Sequence, residues 1–481
     1  MDNNLEKAKE LFLLSLNKQF EGDLFQAKTF LEEAIKIAPD RKSIINNLLV
    51  INFSLKDLSA LEKLNQHINN LEGTFSHFRQ LGEAQINYIN NNHELSIAGC
   101  LKLLSEINFK EIHGHCLDLL VKNYFKQHNL QKLFFYLRAN LRFSNFSEQS
   151  LYNTGSILQY LSKPRAAIYF IKKALQKRDD KSYYSCLAQS YLKIKNFEKG
   201  LFYWEYRTSV YHLEKDFISS LKSIDKANDL SQKKILIIYE QGFGDTLMFS
   251  RYIKLLKKYT SHISFVVPDK LFNILENFDD KIVVLRKSQI KHDNFDYKIP
   301  LVSLMKILNA RYEDIFYSKI EIKHTNSPII IKKNTYNIAF AHQGNSEYIC
   351  DHFRSIPFKN FRQLLSLKKV NFYNIAQSKN NYENYDNVQN VGHLNFYEIS
   401  NLLKNMELII TTDTVFVHLC GSLEIPCILL LSKNAEWRWF NDRKKTIWYP
   451  SVRILRQKKI GNWNTEIDII KKFINLKLLK F

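Results

Sequence analysis

One stretch of the sequence constrains the fold more than any other, and it runs from Lys233 to Tyr252. A β-branched apolar run meets two glycines, Gly242 and Gly244, and is followed by Asp-Thr and by apolar residues at helical spacing. This order predicts a strand, a tight turn and a helix, which together open an α/β domain. Ligands of such domains bind beyond the carboxyl ends of the strands. We therefore expect a substrate to approach the loop of Gln241, Gly242 and Gly244 at the start of the helix.

Short apolar runs continue to alternate with helical patterns after this stretch, which predicts parallel sheets. The predicted strands are 263–267, 282–285 and 297–299 in a first series, and 338–341, 371–375, 408–411 and 427–431 in a second series, which also contains helices at 358–367, 396–404 and 415–423. Two series predict two Rossmann-like domains in tandem, 233–330 and 331–481, with a cleft between their facing carboxyl edges. A polar segment, 209–232, is predicted to be the linker that precedes them.

The first part of the chain, 1–208, has a helical apolar period with few glycines and prolines. Residues 8–39 show a pattern typical of two antiparallel helices: Gly22 opens a turn, Ala27 and Ala34 allow a close helix crossing, and a proline ends the unit. This pattern resembles a tetratricopeptide repeat.

Two further repeat units are predicted at 148–180 and 181–208, where Gly155 and Ala188 lie 33 residues apart. Residues 41–147 are also helical but match the repeat poorly. Because each repeat buries its apolar face only against its neighbours, we expect five or six stacked hairpins that form an α-solenoid. We assign these residues to core packing. The concave face of such an array would hold a partner protein or pack on the α/β part.

Neither a secretory signal nor an apolar run of membrane-spanning length is found, so we expect a soluble, cytoplasmic protein. Six cysteines lie scattered without a C-x-x-C pair, which predicts free thiols in a reducing compartment.

The net charge of +21 is unevenly shared along the chain. Residues 1–230 contain 31 Lys and Arg against 25 Asp and Glu, whereas 231–481 contain 38 against 23. The excess would attract anionic ligands such as nucleotide phosphates, or dock the protein on the inner face of an acidic membrane as a peripheral protein. A lysine-rich composition that only decorates solvated faces is an equal alternative. No basic stripe interleaved with aromatic residues is present, so we do not expect nucleic-acid binding.

Five motifs of the α/β part occur in the same order in a known family. This part of the chain resembles bacterial proteins that join tetratricopeptide repeats to a heptosyltransferase-like domain of glycosyltransferase family 9. The motifs are Glu240-Gln-Gly-Phe-Gly-Asp-Thr, Gly344-Asn345 with Arg354-Ser-Ile-Pro357, Thr412-Asp-Thr with His418 and Gly421, Glu436-Trp-Arg-Trp439, and Trp448-Tyr-Pro-Ser451.

The resemblance implies a GT-B architecture, with the acceptor on the first Rossmann-like domain and a nucleotide-sugar donor on the second. It also implies transfer of the sugar, with inversion, to a hydroxyl of a glycan, a lipid-linked glycan or a protein. The chain contains no Asp-x-Asp motif of the kind that holds a metal ion on the diphosphate. We therefore expect no metal and no cofactor, and we expect cations and backbone amides to stabilise the leaving group.

Asp245 is the candidate catalytic residue. By family resemblance its carboxylate lies at the cleft, where it would accept the proton of the attacking acceptor hydroxyl. The alternative is purely structural, because an Asp between a glycine turn and a helix is a typical helix cap. The sequence leaves both open.

The candidate donor site comes from two loops of the second domain. Arg354 is a candidate diphosphate ligand because its guanidinium has five donors that fit phosphate oxygens, and its alternative is a surface ion pair. Gly344, Asn345 and Ser355 belong to the same predicted phosphate site.

The second donor loop contains Asp413, Thr414 and His418. Asp413 and Thr414 follow a predicted strand and precede a helix, where they would contact the donor, and a capping role for Asp413 is the alternative. His418 lies one turn into that helix, where donor contact competes with simple packing. Trp437 and Trp439 are predicted to be core or interdomain wedges, with sugar stacking the other option.

Two other functions compete with glycosyl transfer as interpretations of the sequence. A dinucleotide-binding oxidoreductase is disfavoured, because the loop at Gly242 and Gly244 lacks the third glycine of that fingerprint. The stronger rival is a repeat scaffold with a degenerate transferase domain that works by binding alone, since a fold does not prove chemistry.

Overall fold

The structure is a computed structural model in which the following residues are described: 2–71, 75–106, 110–207, 219–224, 230–291, 294–323, 325–327, 329–332, 334–346, 348, 350–377, 382, 384–441 and 445–479. It divides into two compact units, Met1–Ser150 and Leu151–Phe481.

The first unit consists of helices in which each packs on the next along the chain. Its helices are α1 (Asp2–Glu21), α2 (Leu24–Ile37), α3 (Lys42–Ser54), α4 (Leu58–Asn69), α5 (Ser76–Ile89), α6 (His93–Ser105), α7 (Lys110–Lys126) and α8 (Leu130–Phe143). Small or apolar faces are buried where helices meet, as at Ala27, Leu31 and Ala34 of α2. The helical repeat architecture predicted for this part is confirmed.

The turn inside each hairpin recurs at a nearly constant interval along the chain, although only one of these turns uses glycine. A residue in the left-handed region ends the first helix of each hairpin, and these are Gly22, Lys56, Asn91 and His128, at intervals of 34, 35 and 37 residues. The next residue is the N-cap of the following helix, and Asp57, for example, accepts a hydrogen bond from the amide of Ala60 at 3.0 Å. Residues 41–147 matched the repeat poorly because only the first of these turns uses glycine.

Two more hairpins of the same kind follow, and the second unit begins within the first of their helices. They contain α9 (Glu148–Tyr160), α10 (Pro164–Lys177), α11 (Tyr184–Lys193) and α12 (Phe197–Trp204), with left-handed turn residues at Ser162 and Lys195. A Cβ placed on Gly155 would lie 2.6 Å from Ile171, and one on Gly200 would lie 2.6 Å from Leu192. The two glycines therefore permit close helix packing in both hairpins, as predicted for repeat units.

The first sheet is entirely parallel and has the strand order β1-β5-β2-β3-β4. The strands are β1 (Lys222–Ser223), β2 (Ile235–Ile238), β3 (Ile263–Val266), β4 (Ile282–Leu285) and β5 (Tyr297–Pro300). Strand β1 falls inside the segment 209–232, which was predicted to be a linker, and pairs with β5 at the edge. Two residues are too short a run to show a strand pattern. Residues 208–218 and 225–229 lie outside the described residues.

The second sheet is also parallel, with the order β11-β10-β9-β6-β7-β8. Its strands are β6 (Tyr336–Ala341), β7 (Val370–Asn374), β8 (Val388–Asn390), β9 (Leu408–Thr411), β10 (Cys427–Leu431) and β11 (Val452–Arg456). Numbered from β6, this is the doubly wound order 3-2-1-4-5-6 of a Rossmann-like sheet. The two parallel sheets confirm the predicted fold class, a helical repeat region followed by a GT-B-type pair of Rossmann-like domains.

The helices of the α/β part follow the predicted alternation. They are α13 (Phe243–Phe249), α14 (Arg251–Leu256), α15 (Phe272–Leu275), α16 (Leu304–Ile307), α17 (Asp351–Arg354), α18 (Phe358–Leu365), α19 (Phe396–Leu403), α20 (Val415–Ser422) and α21 (Asn464–Leu478). The predicted strands and helices agree with these bounds within two residues. Strands β1, β8 and β11 and helices α15, α16, α17 and α21 were not predicted, and α15, α16 and α17 have four residues each where helices of about a dozen residues were expected.

The boundary between compact units lies at 150–151, whereas the sequence predicts the helical domain to end at 208. The difference arises in part because the last hairpin, α11–α12, shares a core with the α/β part. Leu192, Phe197 and Trp204 belong to the same apolar cluster as β2 and β5. Among the described residues, no helix combines the length and apolar content needed to cross a membrane.

Candidate functional site

The predicted site residues lie at the topological switch points of the two sheets. In the first sheet the loop after β2 contains Gln241–Asp245, and the strand order reverses between β2 and β5. In the second sheet the loops after β6 and β9 flank the corresponding switch point. Ligands of doubly wound sheets bind at such points. These loops line one cleft with a volume of about 1420 Å³.

Helices α13 and α20 pack against each other at the base of the cleft, at Gly244 and His418. A Cβ on Gly244 would lie only 2.6 Å from Cδ2 of His418. Glycine is therefore required here by space. Gln241, in the same loop, has a φ of 61° and lines the cleft together with Gly242.

His418 is packed and hydrogen-bonded. It is 6% exposed, its Nδ1 is hydrogen-bonded to the Tyr449 hydroxyl at 2.9 Å, and its ring stacks on Trp439 at 5.5 Å between centroids. Burial, together with Arg438 and Arg251, lowers the pKa of His418 to about 3. The imidazole is therefore neutral, and its ring edge borders the cleft.

Asp245 takes part in capping helix α13 and also lines the cleft. One carboxylate oxygen, Oδ2, accepts a hydrogen bond from the amide of Gly242, the N-cap of α13, at 3.3 Å. The other oxygen, Oδ1, forms an ion pair with Arg438. Burial raises the pKa of Asp245 and Arg438 opposes that shift. Asp245 thus contributes to helix capping and also presents a carboxylate of increased basicity to the cleft.

Arg438 connects Asp245 to a second carboxylate, that of Glu436. The Arg438 side chain is 9% exposed and its two terminal nitrogens pair with Asp245 and Glu436. Glu436 also accepts a hydrogen bond from the Tyr348 hydroxyl at 2.6 Å. Burial works to raise the pKa of Glu436, but Arg438 and the Tyr348 hydrogen bond outweigh it and lower the pKa. Trp437 is buried beside them and packs in the core, as predicted for Trp437 and Trp439.

Arg354 spans the two predicted donor loops. Its Nε donates to Asp351 at 2.7 Å, one terminal nitrogen donates to the carbonyl of Asp413 at 3.1 Å, and the other to the carbonyl of Asn345 at 3.4 Å. A Cβ on Gly344 would lie 2.5 Å from the guanidinium, so the glycine leaves the space that Arg354 occupies. This arrangement goes beyond a surface ion pair, because Arg354 also borders the cleft.

Ser355 holds the same loop through two hydrogen bonds. Its hydroxyl accepts a hydrogen bond from the amide of Gly344 and donates one to Asp351, both at 2.8 Å. Ser355 therefore fixes the position of the Gly344–Asn345 turn, which itself lines the cleft.

The cap of helix α20 is Thr414, so the interpretation of Asp413 as the cap is wrong. The Thr414 hydroxyl oxygen accepts a hydrogen bond from the amide of Phe416 at 3.4 Å. Threonine and aspartate are both good caps, and the sequence alone does not decide between adjacent candidates. Asp413 instead lines the cleft, where burial and Glu436 raise its pKa to about 6 against the opposing effect of Arg354.

Several residues of the site were not predicted, among them Arg438, Glu436, Tyr348, Asp351 and Lys193. No chemistry is predicted above for the Glu-Trp-Arg-Trp motif. A usable signal is present in it, because a Glu and an Arg that alternate with two tryptophans indicate charges in an apolar setting, which require partners. Among the described residues, no group of three or more His, Cys, Asp or Glu has an arrangement that would hold a metal ion. Metal independence stays a prediction.

Comparisons with known proteins give neither a matching family model nor a matching curated protein. Solved structures with a similar fold include ADP-heptose lipopolysaccharide heptosyltransferase II of E. coli, with 12% identity over 51% of this chain and 99% of that chain and a TM-score of 0.38. A glycosyl transferase of family 9 from Veillonella parvula has 13% identity over 52% of this chain and 93% of that chain, with a TM-score of 0.36.

A thermophilic TPR protein from Thermus thermophilus is similar over 41% of this chain and 88% of its own, with 16% identity and a TM-score of 0.24. Structural neighbours thus include both TPR proteins and glycosyltransferases of family 9. Their similarity to this chain is too low to assign its chemistry, and the fold itself rests on the strand order and the repeated turns described above.

Proposed function

We propose that the cleft transfers a sugar from a nucleotide-sugar donor to an acceptor hydroxyl of a glycan, a lipid-linked glycan or a protein. The observation that carries this proposal is the meeting of two switch points at one cleft. A carboxylate of the first domain, Asp245, lies there with the cations Arg354 and Arg438 of the second domain.

The proposed chemistry divides between the two domains. Asp245 accepts the proton of the acceptor hydroxyl as its oxygen attacks the anomeric carbon, and its raised pKa favours this proton transfer. The bond from the anomeric carbon to the diphosphate breaks, and the negative charge that develops on the diphosphate is stabilised by Arg354 and the start of helix α20. We expect no metal to take part. Asp413, which lines the same cleft and whose pKa is raised to about 6, would contact donor hydroxyls.

The charge distribution supports an anionic donor. Residues 1–150 contain 17 Lys and Arg and 17 Asp and Glu, so the whole net charge of +21 belongs to the second unit, which contains the cleft. A positively charged unit attracts nucleotide phosphates and acidic membrane surfaces alike. We propose a cytoplasmic protein that acts in solution or at the inner face of a membrane.

Calorimetric titration with ADP, GDP, UDP and their sugars tests this proposal. We expect saturable binding of one nucleotide, weakened about 10-fold to 100-fold in Arg354→Ala, because a hydrogen bond to a charged group contributes about 1.5–3 kcal/mol. Arg362→Ala is the matched control, since Arg362 is exposed on α18 away from the cleft lining. A folded protein that binds none of these nucleotides would contradict the proposal and leave the repeat scaffold as the function.

A further inference from the structure

Helix α11 ends at Lys193, whose side chain reaches the loop that contains Arg438. Lys193 is 9% exposed, and its ammonium donates to the backbone carbonyls of Ala435 and of Glu436, the latter at 2.8 Å. Burial and then Arg456 lower the pKa of Lys193 to about 7. A lysine is rarely buried without a specific set of acceptors. Here its acceptors are carbonyls that directly precede Trp437 and Arg438.

Arg207, three residues after the end of α12, reaches the other half of the cleft. Its guanidinium forms two hydrogen bonds with the carboxylate of Glu240, one of them at 2.9 Å from Nε, and the two side chains are 4% and 0% exposed. Glu240 also accepts a hydrogen bond from the amide of Val302 at 3.1 Å. Glu240 directly precedes the loop of Gln241 to Asp245, so Arg207 fixes the start of that loop.

Asp245 and Arg438 form the ion pair of the cleft and belong to two different loops. The hairpin α11–α12 and the residues just after it therefore hold both loops, through Lys193 and Arg207. Trp204 of α12 packs edge-on against Trp437 at 6.1 Å and adds an apolar contact to the same loop. The repeat helices also contribute to the wall of the cleft, through Tyr160 and Gln189.

We propose that the last repeat hairpin contributes to the function of the site. Lys193 and Arg207 are positioning residues that fix the loops of Arg438 and Asp245 so that these two side chains face each other in the cleft. This inference rests on the proposed function for its catalytic consequence. It assigns to the final repeat a role inside the transferase, in addition to any partner that the earlier repeats bind.

Lys193→Met tests the inference, with Lys199→Met as the matched control. Methionine keeps most of the aliphatic stem and removes the donors. Lys199 lies on the neighbouring helix α12 and is exposed. The first readout needs no activity: hydrogen–deuterium exchange of backbone amides in 240–249 and 435–441. We expect faster exchange in 435–441 in Lys193→Met and no change in Lys199→Met. Unchanged exchange in Lys193→Met would overturn the inference.

The second readout separates positioning from a general loss of stability. The assay is hydrolysis of ADP-, GDP- and UDP-sugars, in which a water molecule takes the place of the acceptor hydroxyl and the nucleoside diphosphate is released. Positioning predicts that kcat falls at least tenfold in Lys193→Met while KM for the donor changes less than threefold. A rise in KM alone, or equal losses in the control, would contradict it. In the exchange experiment, Arg207→Lys keeps the charge but loses the paired hydrogen bonds, and it is expected to speed exchange in 240–249 rather than in 435–441.

The outcomes distinguish this inference from the proposed function. If the wild-type protein releases no nucleotide but Lys193→Met speeds exchange in 435–441, the transferase proposal fails. The inference that Lys193 holds the loop 435–441 in place is then supported. If release is observed and both lysine variants behave alike, the transferase proposal stands and the positioning role is refuted.

Discussion

Replacement of Gly244 by alanine is the perturbation that the geometry defines most sharply. The new Cβ would lie 2.6 Å from Cδ2 of His418, and ordinary contact begins at 3.4 Å, so the two groups must separate by about 0.8 Å, the difference between those distances. His418 cannot easily retreat, because it is stacked on Trp439 and hydrogen-bonded to Tyr449. Helices α13 and α20 would have to move apart instead.

The expected cost follows from two opposing terms. Overpacking a well-packed site typically costs about 1–3 kcal/mol, and alanine in a helix recovers roughly 0.5–1 kcal/mol relative to glycine. We expect Gly244→Ala to lower the free energy of unfolding by about 1–2 kcal/mol. Under the proposed function, a shift of nearly 1 Å between Asp245 and the proposed donor site would also reduce the transfer rate, by about tenfold to a hundredfold.

Urea denaturation and the rate of nucleotide release measure these two effects. Gly242→Ala is the control for stability, because its Cβ would meet Oδ2 of Asp245 at 3.6 Å, an ordinary contact. We expect it to cost about 0.5 kcal/mol through the poorer N-cap. If Gly244→Ala proves as stable as Gly242→Ala, the close packing of Gly244 on His418 is not rigid and the reasoning fails.

Three further predictions concern the same site. Arg438→Met leaves Asp245 without its ion-pair partner, and we expect a loss of about 3–5 kcal/mol in urea denaturation; a loss below 1 kcal/mol would show that solvent replaces the pair. Gly344→Ala places a Cβ 2.5 Å from the Arg354 guanidinium, so we expect calorimetry to show about tenfold weaker nucleotide binding with a stability change under about 1 kcal/mol. The pKa of His418 is about 3 in the folded protein against an ordinary 6.5, so the unfolded chain binds the proton first as pH falls. The contribution of this residue to the free energy of unfolding is therefore fully present above pH 6.5. It falls by about 1.4 kcal/mol per pH unit as the pH decreases from 6.5 to 3. Denaturation curves of His418→Gln are expected to lack that slope.

The sequence predicts well what is local. The strand, glycine turn and helix from 235 to 249 follow from a β-branched run, two glycines and helical spacing, and the structure has them at Ile235–Ile238 and Phe243–Phe249. Most other strands of the α/β part are short buried runs bounded by polar loops and were located within two residues. Strand β8, Val388–Asn390, has an exposed polar composition that carries no such signal.

What the sequence does not predict depends on contacts between distant residues. The pair of Asp245 and Arg438 joins positions 193 residues apart, and no local pattern indicates such a partner. The same holds for Lys193, whose acceptors lie more than 240 residues away. A repeated turn is hidden for a different reason, because Lys56 takes the left-handed conformation that Gly22 takes in the first hairpin.

The most direct test of the central claim is the release of nucleoside diphosphate from nucleotide sugars by the wild-type protein and by Asp245→Asn. The substitution keeps the size of the side chain and one acceptor oxygen for the amide of Gly242, but it removes the base and the charge that pairs with Arg438. We expect release by the wild-type protein, a rate at least a hundredfold lower in Asp245→Asn, and donor affinity within about threefold, since general-base catalysis typically contributes about 10²–10⁴-fold. Equal release by both proteins would contradict the assignment of Asp245. No release from any nucleotide sugar that the protein binds would contradict glycosyl transfer itself.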